Sequence, residues 1–325
     1  MEPYDGVAAQ YATFAEESRE ESPCFDEWGL GVAGDPEVLA WIDELPGLKK
    51  QPNLVFAAAR FHGVPAPGPY AGLRSALLAD DGSIRATIMA RSTQTNEVGR
   101  LATLLPAFAL AVPSGPVALL EVGASAGLNL FPDRWGYAWS TEAGPVTLGP
   151  EPRLECRVTG PAPLPRALPE VAWRGGIDLN PLSVTDPDDM AWLELLVWPE
   201  QDDRRERLRH AVSVARTDPP RLVRGDLIDE LPAVVAEASA YGTVLVFHSA
   251  VAVYLPAPDR ARMRELLQQL VRDGACHWVS NEAPSVFPEI AAPDPPPWRF
   301  QLAVDGRTVG YTQGHGLDLR WLTSS

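Results

Sequence analysis

The sequence predicts a doubly wound, mostly parallel α/β sheet that ends in an antiparallel hairpin and is preceded by a helical N-terminal region. Three observations carry that prediction. Residues 1 to about 100 show no convincing strand alternation. From residue 117 onward, short apolar runs bounded by Gly, Pro or Asp alternate with helical stretches. Two further apolar runs flank Asp305-Gly306, a strong hairpin signal. The expected division is a helical cap over 1–94 and an α/β domain over 95–325, with a Pro-rich insertion at about 144–169.

Taken in order, residues 2–44 carry 12 of the 43 acidic residues and a single basic one, Arg19, so that surface is acidic and solvated. Val98, Leu101, Leu105 and Phe108 recur at helical spacing and predict a helix from about Thr95 towards the turn at Pro113. Val117–Val122 (VALLEV) is apolar almost throughout, which suits a buried parallel strand. Val171–Asp178, interrupted by Gly175 and Gly176, is the second strand. Arg221–Arg224, ended by Gly225-Asp226, is the third. Thr243–Phe247 (TVLVF) and Cys276–Ser280 (CHWVS) are the fourth and fifth. Between these two, Asp259–Asp273 carries Met263, Leu266, Leu267, Leu270 and Val271 on one face, with Gly274 placed to stop the helix. Strand, helix and strand in that order require a right-handed parallel crossover. Gly144–Pro169 is too long for an ordinary connection and is expected to hold a small hairpin, Pro145–Leu148 with Leu154–Val158, on the sheet's rim. Phe300–Val304 and Thr308–Thr312 form the terminal hairpin.

Composition bounds the function. An apolar share of 46% with 22% charge is that of a globular chain. A net charge of −16 argues against a nucleic-acid or anionic-membrane partner, because phosphates need a cationic face. Lys49 and Lys50 are the only lysines, and Arg outnumbers Lys 25 to 2, a bias that fits a high-GC bacterial genome. Cys24, Cys156 and Cys276 are odd in number and form no CxxC pair, so neither a disulfide framework nor a zinc site is expected, and the cytoplasm is the natural compartment. Met1–Glu21 has no apolar core of a signal peptide. Leu104–Leu130 is apolar apart from Glu121, but Pro106, Pro113 and Pro116 break it, so no membrane span is expected. His62, His210, His277 and His315 show no metal-ligand spacing. A small molecule is left as the substrate class.

The informative segment is Leu119–Leu130, LLEVGASAGLNL, in which a buried strand enters a loop of small residues and then an expected helix. Ligands of open α/β sheets bind beyond the carboxyl ends of the strands, and small residues there admit a ligand to the backbone. Packing alone is the bland alternative. The spacing G-x-x-x-G fails the dinucleotide pattern. Gly123-Ala-Ser125-Ala-Gly127 fits a nucleophile elbow, which would need Asp226 with His248, or an acid with His315, to complete a serine hydrolase; no HGGG oxyanion motif accompanies it.

Glu121-x-Gly123-x-Ser125-x-Gly127 also resembles motif I of the class I S-adenosylmethionine-dependent methyltransferases, with Ser125 in place of the middle glycine. The Rossmann-like fold of that family agrees with the order of elements read above, and the resemblance covers about residues 95–325. It implies a cofactor, S-adenosylmethionine, held by Glu121, Gly123, Ser125, Gly127 and Asn129 at the first turn. Gly176-Ile-Asp178-Leu-Asn180-Pro181 is similar to the family's second-strand end, which implies ribose binding by Asp178 with Asn180 beside it. A rival second strand, Gly136–Ser140, would put Glu142 in that role; Asp178 is preferred. Arg224-Gly225-Asp226-Leu227 resembles the third-strand end, with Asp226 accepting from the adenine amine and Gly225 and Leu227 flanking it. The whole chain further resembles an uncharacterised bacterial family of similar length with this core.

His248, at the end of the fourth strand, is the candidate base, and Glu282, after the fifth, a candidate catalytic or substrate-contacting group. Gln94 and Asn96, in the polar run before the first sheet helix, are expected to line the cofactor. Tyr254 and Trp173 read as core residues. A non-catalytic adenosyl-binding protein is the third functional alternative.

Overall fold

A computed structural model describes residues 6–94, 96–291 and 295–323. The chain divides into two compact units: Met1–Thr95 with Thr185–His210, and Asn96–Val184 with Ala211–Ser325. The first therefore includes a later segment for which the expected N-terminal cap had no place.

The first unit contains the helices α1 (Val7–Ser18), α2 (Pro23–Ala33), α3 (Pro36–Asp43), α4 (Pro52–Phe61), α5 (Tyr70–Leu78) and α6 (Ser83–Ala90). Pro takes the first position of α2, α3 and α4, where its missing N–H costs nothing. Ser22 and Asp35 accept from N–H groups in the first turns of α2 and α3. Helix α4 is apolar on nearly every side and buries Leu54 to Ala59, so it runs through the middle of this unit's core. Tyr11, Phe14, Phe25, Trp28 and Phe56 meet there in mostly edge-to-face contacts.

The second unit begins with α7 (Leu101–Ala111) and β1 (Val117–Val122). Thr95, where that helix was expected to start, lies outside the described residues. The expected helix after Gly127 does not form. Leu128–Leu130 makes a single 3-10 turn, because Pro132 lacks an N–H and disfavours helical backbone at Phe131. The chain instead crosses to β2 (Gly136–Thr141), β3 (Gly144–Leu148) and β4 (Arg153–Thr159), then returns in β5 (Val171–Asp178). The expected hairpin of residues 145–148 with 154–158 is also corrected. β3 pairs antiparallel with β2, and β4 pairs parallel with β2 on its other side. The next helices are α8 (Pro187–Leu196) and α9 (Asp202–Thr217), and the division between units falls within α9. β6 (Arg221–Arg224), α10 (Leu227–Ala238), β7 (Thr243–Ser249), α11 (Ala257–Arg272), β8 (His277–Glu282), β9 (Phe300–Val304), β10 (Arg307–Thr312) and a further strand, β11 (Asp318–Trp321), complete the chain.

All eleven strands form one mixed, mostly parallel sheet in the order β3-β2-β4-β11-β10-β9-β8-β7-β1-β5-β6. Six of its ten neighbouring pairs are parallel. Asp305 and Gly306 turn the β9–β10 hairpin with φ of 49° and 79°, the left-handed pair that matches strand twist. Val122, Val246 and Ile177 pack with Leu231 and Val235 of α10 and Met263 and Leu267 of α11 on one face. On the other, Phe247 meets Phe108 of α7 at 5.1 Å. Among the described residues, no helix is long and apolar enough to cross a membrane.

Candidate functional site

The strand order sets where a ligand would be received. β5 and β6 lie to one side of β1 and β7 and β8 to the other, so the direction of winding reverses between β1 and β7, and the place where open α/β sheets receive ligands is beyond the carboxyl ends of these two strands. The Gly123–Gly127 turn stands there, with φ of 69° at Gly123, 53° at Ser125 and 70° at Gly127. Left-handed backbone is cheap at the two glycines and strained at the serine. A Cβ at Gly123 would lie 2.5 Å from Val251 Cγ2, and one at Gly127 2.7 Å from Pro220 Cγ. Both glycines are thus required by the protein's own packing.

Asp178, at the end of β5, fastens this turn. Its Oδ2 accepts from Ser125 N at 2.8 Å and its Oδ1 from Asn180 N at 2.7 Å. The carboxylate remains part-exposed, and the next side chain, Leu179, is 69% exposed. An apolar side chain so open beside a half-buried acid escaped sequence reasoning; its only signal was its place directly after the strand-ending acid. Glu142, the rival to Asp178, lies in the turn between β2 and β3 at the far edge of the sheet, so the acid next to β1 is Asp178.

Glu121 is 4% exposed on β1. Asn129 Nδ2 donates to its Oε1 at 3.0 Å, while Leu128 N donates to Asn96 Oδ1 at 3.2 Å. Burial pushes the Glu121 carboxyl up to about 8; the Asp178 charge adds to that rise, while the Asn129 hydrogen bond and the Arg100 guanidinium oppose it. Glu121 is therefore mostly neutral at pH 7. Four buried polar atoms of this cluster have no partner among the described residues: Glu121 Oε2, Ser125 Oγ, Asn129 Oδ1 and Asn96 Nδ2. Buried polar atoms are rarely left so, and here an amide donor, a hydroxyl, an amide oxygen and a carboxyl oxygen that bears the proton of the neutral acid stand around a single turn.

The other predicted residues fare differently. Gly225 N donates to the Asp178 backbone carbonyl at 3.1 Å, which ties the end of β6 to that of β5. Asp226 is exposed and caps α10 through Ile228 N at 2.8 Å, and Leu227 packs against the α10–α11 core. Gln94 belongs to the first unit and Asn96 to the second. His248 does not stand as a free base. It is completely buried, its Nε2 accepts from Trp278 Nε1 at 3.0 Å, and its Nδ1 meets Glu282 Oε1 at 2.7 Å. Since Nε2 must be unprotonated to accept, the proton sits on Nδ1 and the ring is neutral and fully engaged. Glu282 Oε1 also takes Val251 N at 2.9 Å and Ala252 N at 3.1 Å, so that oxygen does structural work and cannot abstract a proton.

A family model described as an uncharacterised protein conserved in bacteria (DUF2332) matches residues 8–321. No curated protein and no solved structure matches the chain.

Proposed function

The chain belongs to this bacterial family, and for it we propose an S-adenosylmethionine-dependent methyltransferase acting on a small molecule. One observation carries the proposal: the unpartnered, buried polar atoms of Asn96, Glu121, Ser125 and Asn129 around the left-handed turn at the strand-order switch. A zwitterionic amino-acid group matches that set. Its ammonium would take the Asn129 oxygen and Glu121, which would give up its proton on binding, and its carboxylate the Asn96 amide and Ser125 hydroxyl. Asp178 would hold the ribose hydroxyls with lone pairs left over from its two N–H bonds, and exposed Leu179 would offer the purine an apolar surface. The bound cofactor would supply an electrophilic methyl group. The protein's contribution is then to orient donor and acceptor and exclude water, and this needs no general base.

The serine-hydrolase alternative finds no base hydrogen-bonded to Ser125 among the described residues. Ser125 Oγ has no hydrogen-bond partner, both nitrogens of His248 are occupied, and Asp226 caps a helix. Calorimetric titration with S-adenosylhomocysteine tests the proposal. Saturable binding should weaken about tenfold or more in Asp178→Ala, as loss of charge-assisted hydrogen bonds demands. No binding, with Ser125 labelled by a fluorophosphonate, would return the hydrolase. Binding without turnover on any acceptor would leave a non-catalytic adenosyl-binding protein.

A further inference from the structure

Glu282 ends β8, and Gln301 stands directly opposite it near the start of the antiparallel β9, so their side chains leave the sheet on the same face as near neighbours. Both are buried, with exposures of 2% and 4%. Glu282 Oε1 is saturated by His248 Nδ1 and the N–H groups of Val251 and Ala252. Its Oε2 has no partner, and neither does Gln301 Oε1. Two buried oxygens on register-paired positions thus each lack a hydrogen-bond donor among the described residues. A carboxylate with one oxygen triply bonded and the other bare asks for a group that only donates and carries positive charge. A hard metal ion is a poor occupant, since it wants six or more oxygens (about six to eight for calcium) and the other Glu282 oxygen is ringed by N–H groups.

The place has functional standing. It lies at the carboxyl end of the parallel strands, and Val251, whose N–H Glu282 holds, packs against Gly123 of the candidate cofactor turn. We propose that Glu282 Oε2 and Gln301 Oε1 form a subsite for the protonated amino group of a small molecule. Resting on the methyltransferase reading, this makes the methyl acceptor an amine-bearing compound.

Thermal unfolding of the full chain without cofactor tests the subsite, with n-propylammonium chloride as probe and tetramethylammonium chloride, equally charged but without N–H, as control at matched ionic strength. The midpoint should rise saturably with the first and not with the second. Glu282→Gln keeps an oxygen for His248 and the two backbone N–H groups and puts an amide N–H where Oε2 stands, facing Gln301. It should fold with an unchanged midpoint and lose the amine response. Gln301→Met, of equal length, should fold and weaken the apparent dissociation constant about tenfold or more. An equal response to both cations, no response, or a response that survives Glu282→Gln overturns the proposal. A destabilised Gln301→Met in a protein with no amine response would do so too, since the Gln301 amide would then be satisfying Glu282 itself. A protein that responds to the amine yet never binds S-adenosylhomocysteine keeps the subsite and loses only the methyltransferase reading.

Discussion

At the scale of single residues, the energetics of the site concentrate in Glu121. Folding raises its carboxyl from the ordinary value of 4.5 to about 8, so the folded chain holds a proton that the unfolded chain has already released between those values. The sign follows from linkage. This contribution to stability is fully present below about pH 4.5 and is lost as pH climbs to about 8, at a rate approaching about 1.4 kcal/mol per pH unit. Glu121→Gln imitates the neutral form at every pH, so its melting temperature should gain steadily on the wild type between pH 5 and pH 8. A constant offset would mean that Glu121 titrates normally. Binding of a cationic group should also drive the proton off, which calorimetry in buffers of different ionisation enthalpy would record as proton release near pH 7. His248 illustrates the opposite case, a titratable ring used as a brace. His248→Phe should cost about 2–4 kcal/mol in urea unfolding, because it strands the Trp278 N–H and removes one of the donors to buried Glu282.

At the scale of elements, two glycines with similar backbone angles separate conformational cost from packing cost. A Cβ at Gly306 would find Gln268 Nε2 at 3.5 Å, an ordinary contact, so Gly306→Ala should lose only the left-handed penalty of about 1–2 kcal/mol. At Gly123 the Val251 methyls stand in the way, so Gly123→Ala should cost about 2–4 kcal/mol and loosen the turn as well. Chemical denaturation of the two variants side by side checks the difference. These elements also mark what a one-dimensional reading can reach. β1, β7 and β8 were legible as largely apolar runs, β5 and β6 from their Gly-Asp or Asp-bounded ends in the alternation with helices, and the β9–β10 hairpin from Asp305-Gly306. β11 was not, and β2 and β3 were legible as strands but not in their place or pairing. β11 is four residues that alternate polar and apolar, so it leaves no apolar run, and the pairing of β2 with β3 and β4 is set by a register that local spacing does not carry. The same holds in the site. Glu121, Ser125 and Asp178 announce themselves at strand ends beside glycines, whereas the occupation of His248 comes from Trp278 and Glu282, 30 and 34 residues away. Local spacing carries no trace of a partner delivered by register.

At the scale of the whole molecule, the first unit's dependence on a segment read nearly a hundred residues later has a thermodynamic consequence. Trp192 of α8 is completely buried in that unit's core, and Trp198 lies 5.7 Å from the Phe14 ring. Polar ties reinforce the joint. Arg60 Nη1 donates to the carbonyls of Leu195 and Val197 at 2.6 and 2.8 Å, and Arg91 pairs with Asp189 at 2.7 Å. Glu200 accepts from Ser22 Oγ and Cys24 N at the start of α2. Losing one buried tryptophan costs about 3–5 kcal/mol. Trp192 together with the partly buried Trp198 and these polar ties approaches the lower end of a small domain's stability, about 5–15 kcal/mol. A fragment of residues 1–95 should therefore be helical by far-ultraviolet dichroism yet bind a hydrophobic dye and melt without cooperativity, as a chain with an open core does. Joining residues 185–210 to it through a flexible linker should restore a single sharp transition and a dispersed amide spectrum. Sharp unfolding of the shorter fragment would mean that the aromatic cluster of Tyr11, Phe25, Trp28 and Phe56 suffices alone, and that α8 is an accessory to this unit rather than part of its core.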